Sequence, residues 1–183
     1  MKHWNIDASW TLFLDRDGVI NHRKMGGYIE TIEEFQFLPN VKKAIAGLSK
    51  HFQYIFVVTN QQGIGKGIMT ESNLQAIHRY MVNEVEKVGG KISNCYHAPA
   101  LAMENSGLRK PNIGMGLLAK KDFPEVDFSK AIMVGDSDSD IQFGMNLGMK
   151  TVRIVGSDLP KIQADVTVDS LFEFLKLVEN ENH

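Results

Sequence analysis

Two carboxylates separated by one residue, Asp15 and Asp17, stand at the end of the apolar run Trp10 to Leu14 and are followed at once by Gly18. Acids this close are costly together unless something cationic shares the site. A short buried strand that ends in Asp-x-Asp-Gly delivers side chains to its carboxyl end, where open α/β sheets bind ligands. The plain alternative is an acidic turn, because Asp and Gly are favoured turn residues after any strand.

Three further constellations follow. Thr59-Asn60-Gln61-Gln62-Gly63-Ile64-Gly65-Lys66-Gly67 closes the next apolar run with a hydroxyl, amide donors and flexible backbone. Such backbone can approach an oxyanion closely, and a helix soon afterwards adds a favourable dipole. It is no nucleotide P-loop, since the spacer before Gly-Lys and the following Ser/Thr are missing. An ordinary Gly-rich turn is the bland reading. Arg109-Lys110-Pro111-Asn112 brings a guanidinium fork and a compact ammonium to the start of a helix, chemistry suited to phosphate, although a solvated basic turn has the same composition. Ala131 to Val134 then runs into Gly135-Asp136-Ser137-Asp138-Ser139-Asp140. Mg2+ takes oxygen ligands and uses one or two protein carboxylates. Asp15 and Asp136 are placed to share one ion. Asp140, a helical turn on, is a candidate either to orient Lys110 or to cap the helix, and an N-cap cluster explains Ser137 to Asp140 but not Asp136.

The elements that must hold these groups alternate. Strand-like runs at Trp10 to Leu14, Tyr54 to Thr59, Ile92 to His97 and Ala131 to Val134 are followed by helix-period segments at Val41 to His51, Glu71 to Val88, Ile113 to Phe123 and Asp140 to Leu147. Thr151 to Val155 and Asp165 to Val168 add short strands, and Ser170 to Val178 a closing helix. This βα alternation predicts a parallel sheet covered on both faces. Thr70 and Asn112 are the expected N-caps of the second and third helices. The irregular stretches Asn21 to Asn40 and Ala98 to Pro111 are long enough to be substrate-facing loops.

The chain has 183 residues, 43% of them hydrophobic, which suits one domain over residues 1–183 with a core at about 10–178. Lys+Arg 20 against Asp+Glu 22 leaves a net charge of -2, no footprint for nucleic acid or an anionic membrane. There is no long apolar run, the amino-terminal residues Met1 to Asp7 lack the apolar core of a secretory leader, and the single Cys95 forms no internal disulfide. The expectation is a cytoplasmic monomer whose partner is a small phosphorylated metabolite. The methionines are spread through different elements and read as core filling.

Taken in order, the Asp-x-Asp-Gly, Thr, Lys and Gly-Asp-x-x-x-Asp elements from about Thr11 to Val168 resemble the phosphatases of the haloacid dehalogenase superfamily. Phe13-Leu14-Asp15-Arg16-Asp17-Gly18, Val57 to Ile64, Arg109-Lys110-Pro111 and Val134-Gly135-Asp136 resemble most the subgroup of D-glycero-D-manno-heptose 1,7-bisphosphate and histidinol-phosphate phosphatases. Gly27-Tyr28-Ile29 and Phe35 to Pro39 also resemble that subgroup's stretch between its first two motifs. The resemblance implies a three-layer Rossmann-like α/β fold with a central, mostly parallel sheet and no large cap domain.

It also implies roles. Asp15 would attack phosphorus and form an aspartyl phosphate; Asp17 would protonate the leaving alkoxide and then deprotonate water, with a nearby like charge and partial burial favouring its neutral form. Mg2+ would be held by Asp15, Asp136 and the main-chain carbonyl of Asp17, while Thr59 and Lys110 bind the transferring oxygens. Asn60, Gln61 and Arg109, with Gly27 and Tyr28 as a wall, would orient the rest of the substrate. Strand alternation assigns Arg16 a structural place, away from both acids. The resembled subgroup often holds zinc through Cys-x-His and a later Cys-x-Cys; here Cys95-Tyr96-His97 matches the first pair, but Ser106 and Leu108 replace the second, so zinc is not expected. The substrate implied is heptose 1,7-bisphosphate or a related sugar phosphate, with histidinol phosphate as the alternative. A phosphotransferase would share these residues, and a non-catalytic phospho-ligand binding protein is the reading from a different class.

Overall fold

The structure, a computed structural model, describes residues 4–156 and 158–181; Met1 to His3 of the stretch weighed as a leader lie outside them. Its six strands are β1 (Thr11–Leu14), β2 (Tyr54–Asn60), β3 (Asn94–Ala98), β4 (Ala131–Gly135), β5 (Lys150–Ile154) and β6 (Val166–Val168). They form one sheet in the order β3-β2-β1-β4-β5-β6, and every pairing is parallel. The helices are α1 (Val41–Leu48), α2 (Gln62–Gly65), α3 (Glu71–Glu86), α4 (Gly114–Asp122), α5 (Asp138–Asn146) and α6 (Leu171–Glu181).

Strand alternation builds the layers. Leu12, Leu14, Ile55, Val57, Ile132 and Val134 share one core with the apolar faces of α1, α3 and α6. Phe13, Phe56, Val58, Tyr96 and Met133 share the other with Met115 and Ala119 of α4 and Phe143 of α5. Being buried on both faces, central parallel strands read as continuous apolar runs rather than alternating ones. Leu12, Phe13 and Leu14 have no exposed surface, and each contributes about 1.5–3 kcal/mol by burial. That anchorage fixes where β1 ends, and so where Asp15 stands.

The expected three-layer α/β architecture is present, with boundaries shifted by one to three residues. One cap differs from expectation. Thr70 caps α3, its Oγ1 accepting from Asn73 N at 3.1 Å while Asn73 Oδ1 accepts from Thr70 N at 3.0 Å. Asn112 does not cap α4: Ile113 stands at that position without a side-chain bond, and the Asn112 amide donates to Ser106 O at 2.9 Å. The helix starts at Gly114, one residue too late for Asn112 to stand at the cap position, and the Nδ2 bond ties its side chain to the preceding loop. α5 starts at Asp138, two residues earlier than expected, because Ser137 is its N-cap. No helix among the described residues is long and apolar enough to cross a membrane.

Candidate active site

The chain leaves β1 toward β2 on one side, while β4 pairs with β1 on the other. Neighbouring connections diverge here, at the topological switch point where open α/β sheets hold ligands. A cleft of about 710 Å³ opens there, lined among others by Asp15, Asp17, Thr59, Lys110 and Asp140. Four segments remote in sequence reach it because their strands are adjacent.

Lys110 is its electrostatic centre. The ammonium, almost wholly buried, donates to Asp15 Oδ1 at 2.8 Å and Val58 O at 2.7 Å, and pairs with Asp140 Oδ1 at 2.6 Å. Burial disfavours its charge, but Asp140 and Asp15 outweigh burial and hold its pKa above the ordinary lysine value. Asp140 therefore fills both roles open to it: Oδ1 meets Lys110, and Oδ2 accepts from Ser137 N at 3.0 Å and Ser137 Oγ at 2.7 Å in the capping box of α5.

Asp15, Asp136 and Asp140 each place a carboxylate oxygen within 4.8 Å of the others. Burial first, then the neighbouring Asp140, pushes Asp15 up to about 8; the same two causes, in the same order, push Asp136 up to about 6. Two glycines make this crowding possible. A Cβ on Gly18, whose φ is +91°, would lie 2.1 Å from Asp136 Oδ2, and one on Gly135 would lie 2.1 Å from Asp140 Cβ. Only hydrogen fits at either place. The donor set is hard oxygen, buried, and carries more negative charge than Lys110 neutralises, which fits a Mg2+ ion.

Asp17 departs from expectation. Its carboxylate accepts from Arg16 Nη2 at 3.0 and 3.1 Å, Asn21 Nδ2 at 2.9 Å and Gln61 Nε2 at 2.9 Å. Burial raises its pKa, but Arg16 and these hydrogen bonds overcome burial and hold it below the usual carboxylate value. These contacts favour the ionised carboxylate, not the neutral form expected. Arg16 is not turned away either: it has no exposed surface and grips Asp17, because β1 ends at Leu14 and strand alternation no longer governs the turn.

The amide residues are also committed within the protein. Asn60 lines the cleft and exchanges two hydrogen bonds with the main chain of Lys110, at 3.1 and 2.9 Å, and so seats that lysine. Gln61 bridges Asp17 and Thr59, donating to Thr59 Oγ1 at 2.9 Å. Nor is the glycine-rich turn a backbone cradle throughout: the N–H groups of Gln61, Gly65, Lys66 and Gly67 donate to Ala98, Pro99, Gln62 and Ile64 carbonyls. Arg109, Gly27 and Tyr28 line the cleft, and Lys66 Nζ lies 5.4 Å from the centre of the Tyr28 ring.

Several participants carried no sequence signal. Arg23 donates to Asp136 Oδ1 at 3.1 Å from the long loop after β1, and no motif marks it. Arg153 holds the Asp136 carbonyl at 3.1 Å and Asp138 Oδ1 at 2.6 Å from within β5. Asn21 stands four residues beyond Asp17, a turn-sized spacing that could have suggested it. On β3, burial pushes the Cys95 thiol up to about 12, while His97 Nε2 meets Glu71 Oε2 at 2.8 Å.

The family model described as polynucleotide kinase 3 phosphatase matches residues 11–153. A D-glycero-alpha-D-manno-heptose-1,7-bisphosphate 7-phosphatase of Mycobacterium bovis is 36% identical over 170 residues, 90% of this chain and 89% of that protein. A D-glycero-beta-D-manno-heptose-1,7-bisphosphate 7-phosphatase of Rhodopseudomonas palustris is 34% identical over 167 residues, 86% of this chain and 89% of that one. The crystal structure of the D,D-heptose 1,7-bisphosphate phosphatase from B. bronchiseptica, complexed with magnesium and phosphate, superposes with a TM-score of 0.84 at 25% identity, covering 94% of this chain and 99% of that one. With its acids converging at the ends of β1 and β4 and with these matches along most of its length, the chain belongs to the phosphatases of the haloacid dehalogenase superfamily, in the family described by the polynucleotide kinase 3 phosphatase model.

Proposed function

We propose that this phosphatase acts with Mg2+ on a heptose 1,7-bisphosphate or a related small sugar phosphate, through an aspartyl phosphate on Asp15. The observation that carries the reading is the contact of Asp15 with Lys110 beside Asp136 and Asp140, at a cleft lined also by Thr59 and Asp17. The relatives' names support the substrate class, and both anomeric names occur among them. A Mg2+ ion held by Asp15, Asp136 and the Asp17 carbonyl would neutralise phosphate charge and favour in-line geometry.

The chain's own groups supply the rest. An Asp15 oxygen attacks phosphorus as the bond to the sugar oxygen breaks, and Lys110 and Thr59 stabilise the charge spread over the transferring oxygens. Asp17 gives a proton to the departing alkoxide. It takes that proton from solvent when a phosphate dianion arrives beside it, since a like charge raises a carboxyl pKa, and gives it back to solvent when product phosphate leaves. The ionised Asp17 left behind takes a proton from the water that then attacks phosphorus, releasing phosphate and restoring Asp15. Arg16, Asn21 and Gln61 hold Asp17 in one orientation for both halves.

A phosphate-release panel tests the reading, comparing both anomers of heptose 1,7-bisphosphate, histidinol phosphate and common sugar phosphates, with chelator and with Mg2+ restored. The highest kcat/KM on a heptose bisphosphate, lost in chelator and regained with Mg2+, is the expected result. Preference for histidinol phosphate would overturn the substrate, and turnover indifferent to chelator would overturn the metal.

A further inference from the structure

The apolar seam of α3 contains one ionisable group. Leu74, Ile77, Met81 and Val85 are buried along it, and His78 is buried among them, outside every motif that marks the active site. A polar ring on a core-facing seam needs a partner. Its partner is Arg16: His78 Nε2 lies 3.5 Å from Arg16 Nη1. Arginine can only donate, so His78 Nε2 accepts and the ring proton sits on Nδ1. The surroundings keep the ring in that neutral form, since burial, then Arg16 and His97, push its pKa down to about 3 against an opposing pull from Asp17. His97, whose ring centre lies 6.4 Å from that of His78, is itself paired with Glu71 of the first turn of α3.

Arg16, though wholly buried, has few other hydrogen bonds. Its Nη2 faces both Asp17 oxygens, its Nε has no hydrogen-bond partner among the described residues, and the Phe35 ring centre lies 5.9 Å from its guanidinium carbon. A planar fork held at one corner can pivot there; an acceptor on the opposite nitrogen fixes its plane. We infer that His78 is a positioning residue for Asp17, acting through Arg16: it anchors the far nitrogen of the guanidinium so that the near one presents Asp17 to the leaving group and the attacking water. The inference rests on the acid/base reading of Asp17 given above.

The test separates proton delivery from general damage. An alkyl phosphate such as glycerol phosphate needs a proton on its leaving oxygen, whereas p-nitrophenyl phosphate expels a stable phenolate without one. His78→Leu fills the space but accepts no hydrogen bond; His78→Gln retains an acceptor able to reach Arg16. Roughly tenfold lower kcat/KM on the alkyl ester, arising in kcat, with at most about twofold on the aryl ester, is expected for His78→Leu, and His78→Gln should recover most of the loss. Equal losses on both esters, or none on either, would overturn the role. Should the Leu variant fail to fold by circular dichroism, His78→Asn, whose amide stops short of Arg16, carries the same comparison against Gln. Asp17→Asn measured alongside keeps the two readings apart. An absent leaving-group bias in Asp17→Asn would sink the acid/base assignment and the inference with it, whereas a bias there without one in the His78 variants sinks His78 alone.

Discussion

Lys110 has three ammonium protons and three oxygen partners, Asp15, Asp140 and the Val58 carbonyl, all inside the protein. The nucleophile is thus oriented by a cation that is itself immobilised, the arrangement in which charge stabilisation requires least reorganisation. The same crowding makes Asp15 a source of instability when ionised. Asp15→Asn should abolish phosphate release with Mg2+ present while melting no lower than the parent in chelator at pH 8, because it removes a carboxylate whose pKa burial and Asp140 have pushed to about 8. Retained turnover, followed by phosphate assay, would remove Asp15 as nucleophile. The motif acids were legible in sequence because their spacing at strand ends is itself the signal. Arg16 and Arg23 were not: the first depends on where β1 stops, and the second on a loop path that no spacing specifies.

Two helices begin with the same device and should respond differently to its loss. Thr70 caps α3 at the surface, and Ser137 caps α5 through Asp140, the carboxylate that also meets Lys110. Replacing either with Ala should cost about 1 kcal/mol of stability, read from denaturant midpoints. Only Ser137→Ala should also lower kcat, since it frees Asp140 Oδ2 and loosens the ion pair beside Asp15. A kcat loss of the same size in Thr70→Ala would show that capping affects catalysis merely through global stability. The αβ alternation behind these helices was readable because buried parallel strands are continuous apolar runs and α3 carries an apolar seam. The cap of α4 was not, because the folded loop delays the helix start to Gly114 and ties the Asn112 side chain to the Ser106 carbonyl.

For the molecule as a whole, the carboxylate cluster links stability to pH and metal. Burial and Asp140 push folded Asp15 up to about 8 and Asp136 up to about 6 from an ordinary 3.8, so across that window the folded protein retains protons that the unfolded chain releases. Stability from this source falls as pH rises through that window. Asp17, held low, works in the opposite sense: its contribution is present above its ordinary value and is lost as pH falls through its depressed one. Melting temperature in chelator should therefore decline from about pH 5 to pH 8. Millimolar Mg2+ should raise it more at pH 8 than at pH 5, because the ion binds the ionised carboxylates of the folded state. An equal gain at both pH values, measured by thermal melts, would count against Asp15 and Asp136 as its ligands.

The sequence by itself determined the α/β class, the strand ends that carry Asp15, Thr59 and Asp136, the motif before a helix that carries Lys110, and the resemblance to haloacid dehalogenase phosphatases, because apolar periodicity and motif spacing are local properties of the chain. Only the tertiary structure decided which charges those acids meet. Asp17 is held toward its ionised form because Arg16 folds back onto it, Asn60 bonds the main chain of Lys110, and His78 of α3 lies against Arg16 at the end of β1. Hydrogen-bond partners are fixed by which elements pack together, and that information resides in the sheet order and the two cores rather than in any one segment.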